Sequence, residues 1–134
     1  MASMTGREIV DLSVELLLSK RGEGILVMGL EGLTDTADYF VLCTGNSDTQ
    51  VKALADAVQE GMKEHGSRPW HVEGYDAQRW ILIDFVDVVV HIFLRDVRMF
   101  YGLERLWGDA KLEWIQDEED ATEQASEVPL EMVE

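Results

Sequence analysis

The segment from Trp80 to Phe93 (WILIDFVDVVVHIF) constrains the fold more than any other part of the chain. It is rich in β-forming residues and predicts two strands joined tightly around Val86 and Asp87. Alternation along these strands places six apolar side chains on one face, which must be the core face: Ile81, Ile83, Phe85, Val88, Val90 and Ile92. The opposite face mixes aromatic, aliphatic and polar side chains: Trp80, Leu82, Asp84, Val89, His91 and Phe93. A register slip of one residue would scramble this sorting, so the sequence defines the pairing well.

Apolar periodicity and turn residues predict the other elements. They are helices over about residues 7–20, 47–66 and 95–108, and short strands over residues 25–28, 39–44 and 69–72. Ser47 and Gln50 fit a capping box at the start of the second helix, and Gly102 weakens the third. The order helix, two strands, helix, three strands, helix predicts an α/β fold. We expect a single domain with a mixed β-sheet of about five strands.

The length of 134 residues, with 46% hydrophobic and 28% charged residues, is typical of one globular domain. We expect that domain to cover residues 7–115. Residues 1–6 (MASMTG) resemble an expression leader. Residues 116–134 predict a disordered acidic tail, because the stretch from Asp117 onward contains eight acidic and no basic residues. No secretory signal or apolar run of ~20 residues is present, and Cys43 is the only cysteine, so we expect a cytoplasmic protein.

The formal net charge of −16 limits the classes of partner. A surface this acidic is repelled by phosphate backbones, which argues against direct nucleic-acid binding and favours a basic protein partner. An alternative is that the acidity only keeps the protein soluble.

Two groups of residues are candidates for chemistry. Asp84 and His91 share one face of the hairpin and could form an acid–base pair, although no nucleophile stands beside them, which favours a polar pair on a binding surface. The turn at residues 44–47 could bind phosphate at a helix N-terminus. A nucleotidyltransferase would also need two closely spaced carboxylates on a following strand, and Asp56, downstream in the helix, has no such partner. The histidines also lack the spacing of metal ligands. Since the nucleophile and the carboxylate pair are missing as well, we expect no catalysis, metal or cofactor.

The aromatic side chains at the end of the hairpin and after it are candidates for a protein interface. Trp107 is interpreted as a core residue that packs the terminal segment on the sheet. Trp80 and Tyr101 flank a sheet face for which no long helix is left as a cover, so we expect them to be exposed interface anchors.

These residues lie in stretches that resemble the ribosome-silencing factor family, also called Iojap. The matching stretches are Ala37–Val41 (ADYFV), Gly45–Ser47 (GNS), Gln50–Ala53 (QVKA), Val72–Gly74 (VEG), Val88–Phe93 (VVVHIF) and Arg98–Trp107 (RMFYGLERLW). The resemblance covers residues 9–108, and the last two stretches together are highly specific.

The resemblance implies a nucleotidyltransferase-like fold without catalytic residues and a tendency to form homodimers. It also implies binding to the large ribosomal subunit through ribosomal protein number fourteen. A protein bound there would sterically block association with the small subunit and repress translation under nutrient limitation. Trp80 and Tyr101 match family positions at that contact, and Asp84, His91 and Glu104 match its polar motif positions.

The chain departs from the family pattern at two positions. Gly29 stands where an aspartate is usual, and Val86 stands where a glycine usually shapes the hairpin turn, so a type I′ turn is not expected. Two other functions stay open: a nucleotidyltransferase-like enzyme on the same fold, and a large-subunit assembly factor that uses the same docking site.

Overall fold

The computed structural model describes residues 4–115 and contains three α-helices and six strands there. The helices are α1 (Gly6–Ser19), α2 (Asp48–Glu64) and α3 (Arg95–Tyr101), and a 3₁₀ turn spans Leu103–Arg105. The strands are β1 (Glu23–Gly29), β2 (Tyr39–Gly45), β3 (His71–Glu73), β4 (Trp80–Asp84), β5 (Val88–Leu94) and β6 (Lys111–Trp114). The predicted single-domain α/β fold with a mixed sheet is confirmed, with one strand more than expected.

The six strands form one sheet in the order β3-β4-β5-β2-β1-β6. The central pair, β2 and β5, is parallel, and every other neighbouring pair is antiparallel. The additional strand β6 pairs with the free edge of β1, from Leu26 opposite Trp114 to Gly29 opposite Lys111. All four residues of β6 are exposed. Such a strand depends on long-range hydrogen bonds rather than on its own burial, and sequence periodicity therefore does not reveal it.

The predicted register of the β4–β5 hairpin is confirmed, with Trp80 opposite Phe93 and Asp84 opposite Val89. Its two-residue loop is not a type I′ turn, which would need two positive φ angles. Val86 alone has a positive φ, +77°, and the Asp87 N–H donates to the Phe85 carbonyl at 3.0 Å. This is a tight three-residue turn of a rare and strained kind for a β-branched residue. The Asp84 carboxylate supports the turn by accepting from the Val86 N–H at 2.7 Å.

Two apolar clusters lie on opposite faces of the sheet. The larger one packs α1 and α2 on the sheet and contains all six residues predicted for the core face of the hairpin. The smaller one lies under α3 and the segment that follows it. Its fully or largely buried members are Leu26, Met28, Leu30, Leu42, Phe93, Val97 and Leu103.

The second face of the hairpin is less open than expected. Val89, His91 and Phe93 are buried there. The helix α3 packs on β5 and β2 and covers the Phe93 end of this face, where Phe93 and Val97 share a cluster. Leu82 and Asp84, on the neighbouring strand, are half-buried. The face is therefore exposed mainly toward the β3–β4 edge. A helix of only seven residues is enough to cover one or two strands, and the sequence did not indicate where it would lie.

The helix boundaries differ from the predictions in three places. Thr5 caps α1 in a reciprocal capping box with Glu8, so the helix begins at Gly6, one residue before the predicted start. The Ser47 hydroxyl accepts from the Gln50 N–H as expected, but the Gln50 side chain accepts from the N–H of Asn46 and not from that of Ser47. The third helix ends at Tyr101 and not at residue 108, because Gly102 adopts a left-handed conformation (φ +54°).

The expectations for residues 1–3 and for the acidic tail at 116–134 lie outside the described residues. Between residues 4 and 115, no helix is long and apolar enough to cross a membrane.

Candidate functional site

An aromatic cluster forms where the end of β4 meets α3. The Trp80 ring lies between those of Phe93 and Tyr101, with ring centroids 4.8 and 4.9 Å away. The Trp80 indole N–H points into the sheet and donates to His91 Nδ1 at 3.1 Å. Burial lowers the pKa of His91 to about 3, so its imidazole is neutral near pH 7. The outer part of the cluster is Tyr101, whose side chain is 54% exposed.

The helix α3 exposes large apolar side chains because it is short. Val97 and Arg98 are buried on the face of α3 that contacts the sheet, and the opposite face is exposed to solvent. Met99 and Phe100 on that face are 72% and 80% exposed. Leu106, after the 3₁₀ turn, is 66% exposed. The apolar surface formed by these three side chains and Tyr101 is called here the α3 surface; its members are Met99, Phe100, Tyr101 and Leu106. Apolar surface of this kind commonly marks a binding site.

A shallow depression connects the α3 surface to the hairpin. It has a volume of about 490 Å³ and is lined by Arg79, Trp80, Asp96, Val97, Phe100 and Tyr101. Its walls combine aromatic faces with one basic and one acidic side chain. Such a depression suits an amphipathic side chain of a protein partner better than an enclosed small molecule.

A buried arginine fixes α3 to the sheet. Arg98 Nη1 donates to Thr44 Oγ1 at 2.9 Å and to the Gly24 carbonyl at 2.5 Å, and Arg98 Nε lies 3.7 Å from Glu104 Oε2. Burial lowers the pKa of Arg98 from its ordinary value, and the nearby Glu104 carboxylate opposes that shift. The ion pair ties α3 to the 3₁₀ turn and so holds the α3 surface in a defined position.

The structure brings three of the five expected site residues together. Trp80, His91 and Tyr101 form the aromatic cluster, in which Tyr101 is exposed, Trp80 is half-buried and His91 is buried. Asp84 lies four residues from Trp80 along β4, a distance of about 13 Å, and is diagonal to His91 on β5. Glu104 is engaged with Arg98 on the far side of α3.

Sequence reasoning missed Met99 and Phe100 as surface residues. Both fall in a segment predicted as one long helix, where an apolar residue is most simply assigned to the core. Gly102 carried a signal for their exposure. If the helix ends at this glycine, it is too short for apolar side chains on two of its faces to be buried.

The turn at residues 44–47 is filled by side chains of this chain. Arg95 Nη2 donates to Asn46 Oδ1 at 2.6 Å and also pairs with Glu23 at 2.6 Å. The Asn46 amide contacts the Glu23 carboxylate, and Gln50 occupies the Asn46 N–H. Three N–H groups at the start of α2 are thus engaged internally, those of Asn46, Thr49 and Gln50. Within residues 4–115, no group of three His, Cys, Asp or Glu side chains could hold a metal ion.

Comparison with known proteins places the chain in a family. The family model described as "Ribosomal silencing factor during starvation" (RsfS) matches residues 3–132. A relative from Bacillus subtilis named "Ribosomal silencing factor RsfS" is 44% identical over 109 residues, which cover 81% of this chain and 92% of the relative. The chain belongs to the ribosomal silencing factor family.

More distant and structural relatives extend the comparison. A crystal structure of a protein from Chromobacterium violaceum superposes with a TM-score of 0.77 at 38% identity, covering 85% of this chain and 95% of that one. A mouse protein named "Mitochondrial assembly of ribosomal large subunit protein 1" is 32% identical over 101 residues, covering 73% of this chain and 44% of the mouse protein.

Proposed function

We propose that this protein silences ribosomes by docking on the large subunit through ribosomal protein number fourteen. The docked protein occupies the face that meets the small subunit, so the two subunits cannot join, and translation is repressed when nutrients are limiting. The role requires no catalysis, and the site of action is the cytoplasm.

The observation that carries this proposal is the α3 surface. Large side chains at Met99, Phe100, Tyr101 and Leu106 are exposed on and just after a short helix, which the hydrogen bonds of Arg98 to Thr44 and Gly24 hold to the sheet. Burial of such side chains at an interface typically supplies most of the binding energy. The net charge of −16 adds long-range attraction to a basic ribosomal protein.

The expected site residues have different parts in this docking. Phe100 and Tyr101 insert into the partner, and the half-buried Trp80 supports Tyr101 from behind. Asp84 borders the contact as a charge at its rim, where its effect is screened by salt. Glu104 acts indirectly, by holding Arg98 and with it the position of α3.

Co-sedimentation with purified ribosomal subunits tests the proposal. The wild-type protein is expected to sediment with large subunits, and not with small subunits or with assembled ribosomes. Phe100→Ala and Tyr101→Ala should each weaken binding about thirtyfold, because truncating an interface anchor costs about 2 kcal/mol of binding free energy. Trp80→Ala is a less suitable test, because Trp80 packs on Phe93 and its removal also costs core packing.

Trp70→Ala is the matched control for these variants. Trp70 is 74% exposed and lies beside the edge strand β3, away from α3. Its backbone N–H donates to the Asp84 carbonyl, which puts it beside the rim of the contact and not on the α3 surface, so its truncation should weaken binding much less than Phe100→Ala or Tyr101→Ala. Equal binding of the wild-type protein to both subunits would contradict the proposal, and so would wild-type affinity in both single variants, Phe100→Ala and Tyr101→Ala.

A role in large-subunit assembly is the second candidate, and the name of the mouse relative favours it. It predicts that the protein binds immature large subunits and leaves mature ones. A silencing factor instead binds mature large subunits and lowers the yield of assembled ribosomes when small subunits are added. Subunit-joining assays with mature subunits separate the two functions.

The resemblance also implies self-association of the free protein. We propose that it forms a homodimer, which is consistent with the large exposed apolar area on α3. Sedimentation velocity of the free protein tests this, and a monomer at micromolar concentration would contradict it.

A further inference from the structure

His91 is a buried residue whose polar groups are only partly satisfied. It is 4% exposed and lies among the rings of Phe40, Trp80 and Phe93. Its Nδ1 accepts the Trp80 indole N–H at 3.1 Å. Because Nδ1 is the acceptor, the proton of the neutral imidazole resides on Nε2. His91 Nε2 has no hydrogen-bond partner within residues 4–115.

An unsatisfied buried donor lowers stability, so His91 is a costly residue for packing alone. An aliphatic side chain would fill this apolar pocket among three aromatic rings without that cost. What histidine provides here, and an aliphatic residue does not, is an acceptor on the inner side of Trp80. The lowered pKa of His91 keeps that acceptor unprotonated near neutral pH.

The position of the acceptor determines which side of the indole faces outward. Trp80 and His91 lie diagonally on one face of the β4–β5 pair, since Trp80 is opposite Phe93 and Leu82 is opposite His91. With the indole N–H directed inward to His91, the Trp80 ring packs against the Tyr101 ring, and their centroids are 4.9 Å apart. Without the acceptor, the ring could turn its polar edge toward solvent.

From this geometry we infer that His91 is a positioning residue: it orients Trp80, and through Trp80 it sets the place of Tyr101 at the docking surface. The inference rests on the proposed function, because it assigns His91 a part in docking without contact to the partner. It also separates His91 from Asp84, its neighbour on the same face, which supports the hairpin turn instead.

A matched pair of substitutions isolates the acceptor. In His91→Asn, the amide oxygen is attached to Cγ as Nδ1 is, so an acceptor remains near the same place. His91→Leu has nearly the shape of His91→Asn and no acceptor. Leucine suits the apolar pocket and should preserve or raise stability, whereas asparagine buries an unsatisfied amide and should lower it.

Docking should follow the opposite order from stability. His91→Asn is expected to bind large subunits within about twofold of wild type, and His91→Leu about five- to tenfold more weakly, the effect of one hydrogen bond. In the Trp80→Phe background, which has no indole N–H, His91→Leu should cause no further loss. A purely structural role for His91 predicts that binding falls in step with stability.

Hydrogen exchange of the Trp80 indole proton provides a readout in the free protein. The resonance is identified by its loss in Trp80→Phe, and it should exchange slowly in wild type and His91→Asn but rapidly in His91→Leu. The inference is overturned if His91→Leu binds like wild type, if its loss persists in Trp80→Phe, or if indole exchange is unchanged. If wild type binds no subunit while the exchange pattern holds, the proposed function fails and the docking role of His91 fails with it, although the hydrogen bond stands.

Discussion

Acidification should destabilise this protein through His91, by an amount that follows from its burial. The ordinary pKa of a histidine in an unfolded chain is about 6.5, and burial lowers the pKa of His91 to about 3 in the folded protein. Between these values the unfolded state binds a proton that the folded state does not. Stability therefore rises with pH through this window and is lost as pH falls below about 6.5.

The two pKa values give the size of the effect. Between pH 7 and pH 5 the unfolded state takes up a proton at His91 that the folded state does not take up. This uptake lowers the free energy of unfolding by about 2 kcal/mol. Phe40, Trp80 and Phe93 surround the imidazole, and desolvation is the one cause of the shift, so no nearby carboxylate offsets this loss.

Urea unfolding of wild type and His91→Leu at pH 7, 6 and 5 measures the effect. Other groups that titrate in this range contribute to both proteins, so the quantity of interest is the difference between their losses. His91→Leu should lose about 2 kcal/mol less than wild type by pH 5. Parallel curves for wild type and His91→Leu would refute the reasoning.

Three further predictions concern the turn, the first helix and the rival enzymatic function. Val86→Gly should raise the free energy of unfolding by about 1 kcal/mol, because glycine adopts a φ of +77° without strain; a loss of stability in urea unfolding would show that the turn is unstrained. Thr5→Ala should lower it by about 1 kcal/mol by removing the cap of α1, and an unchanged melting temperature would mean that the capping box contributes nothing. Nucleotide with Mg²⁺ should leave the melting temperature unchanged, since the turn at residues 44–47 is filled internally; a saturable rise of several degrees would favour the enzyme instead.

The sequence alone determined the parts of this fold that depend on local pattern. The register of the β4–β5 hairpin follows from alternation, because a slip of one residue would move Ile81, Ile83 and Val90 off the core face. The first two helices follow from apolar periodicity and capping residues. The family followed from the stretches VVVHIF and RMFYGLERLW, which are specific without any structural information.

Tertiary structure decided what covers the second face of the sheet. The sequence places Trp80, Asp84 and His91 on one face of the hairpin, and it gives no means of telling that His91 is buried there while Tyr101 on α3 is exposed. That outcome depends on the left-handed Gly102, which ends α3 after seven residues, and on Arg98, which anchors it to Thr44 on another strand. Strand β6 arises in the same way, from an edge that β1 offers at a distance of more than 80 residues in the chain. Burial of a side chain is a property of what packs against it, and residues far apart in sequence supply that packing here.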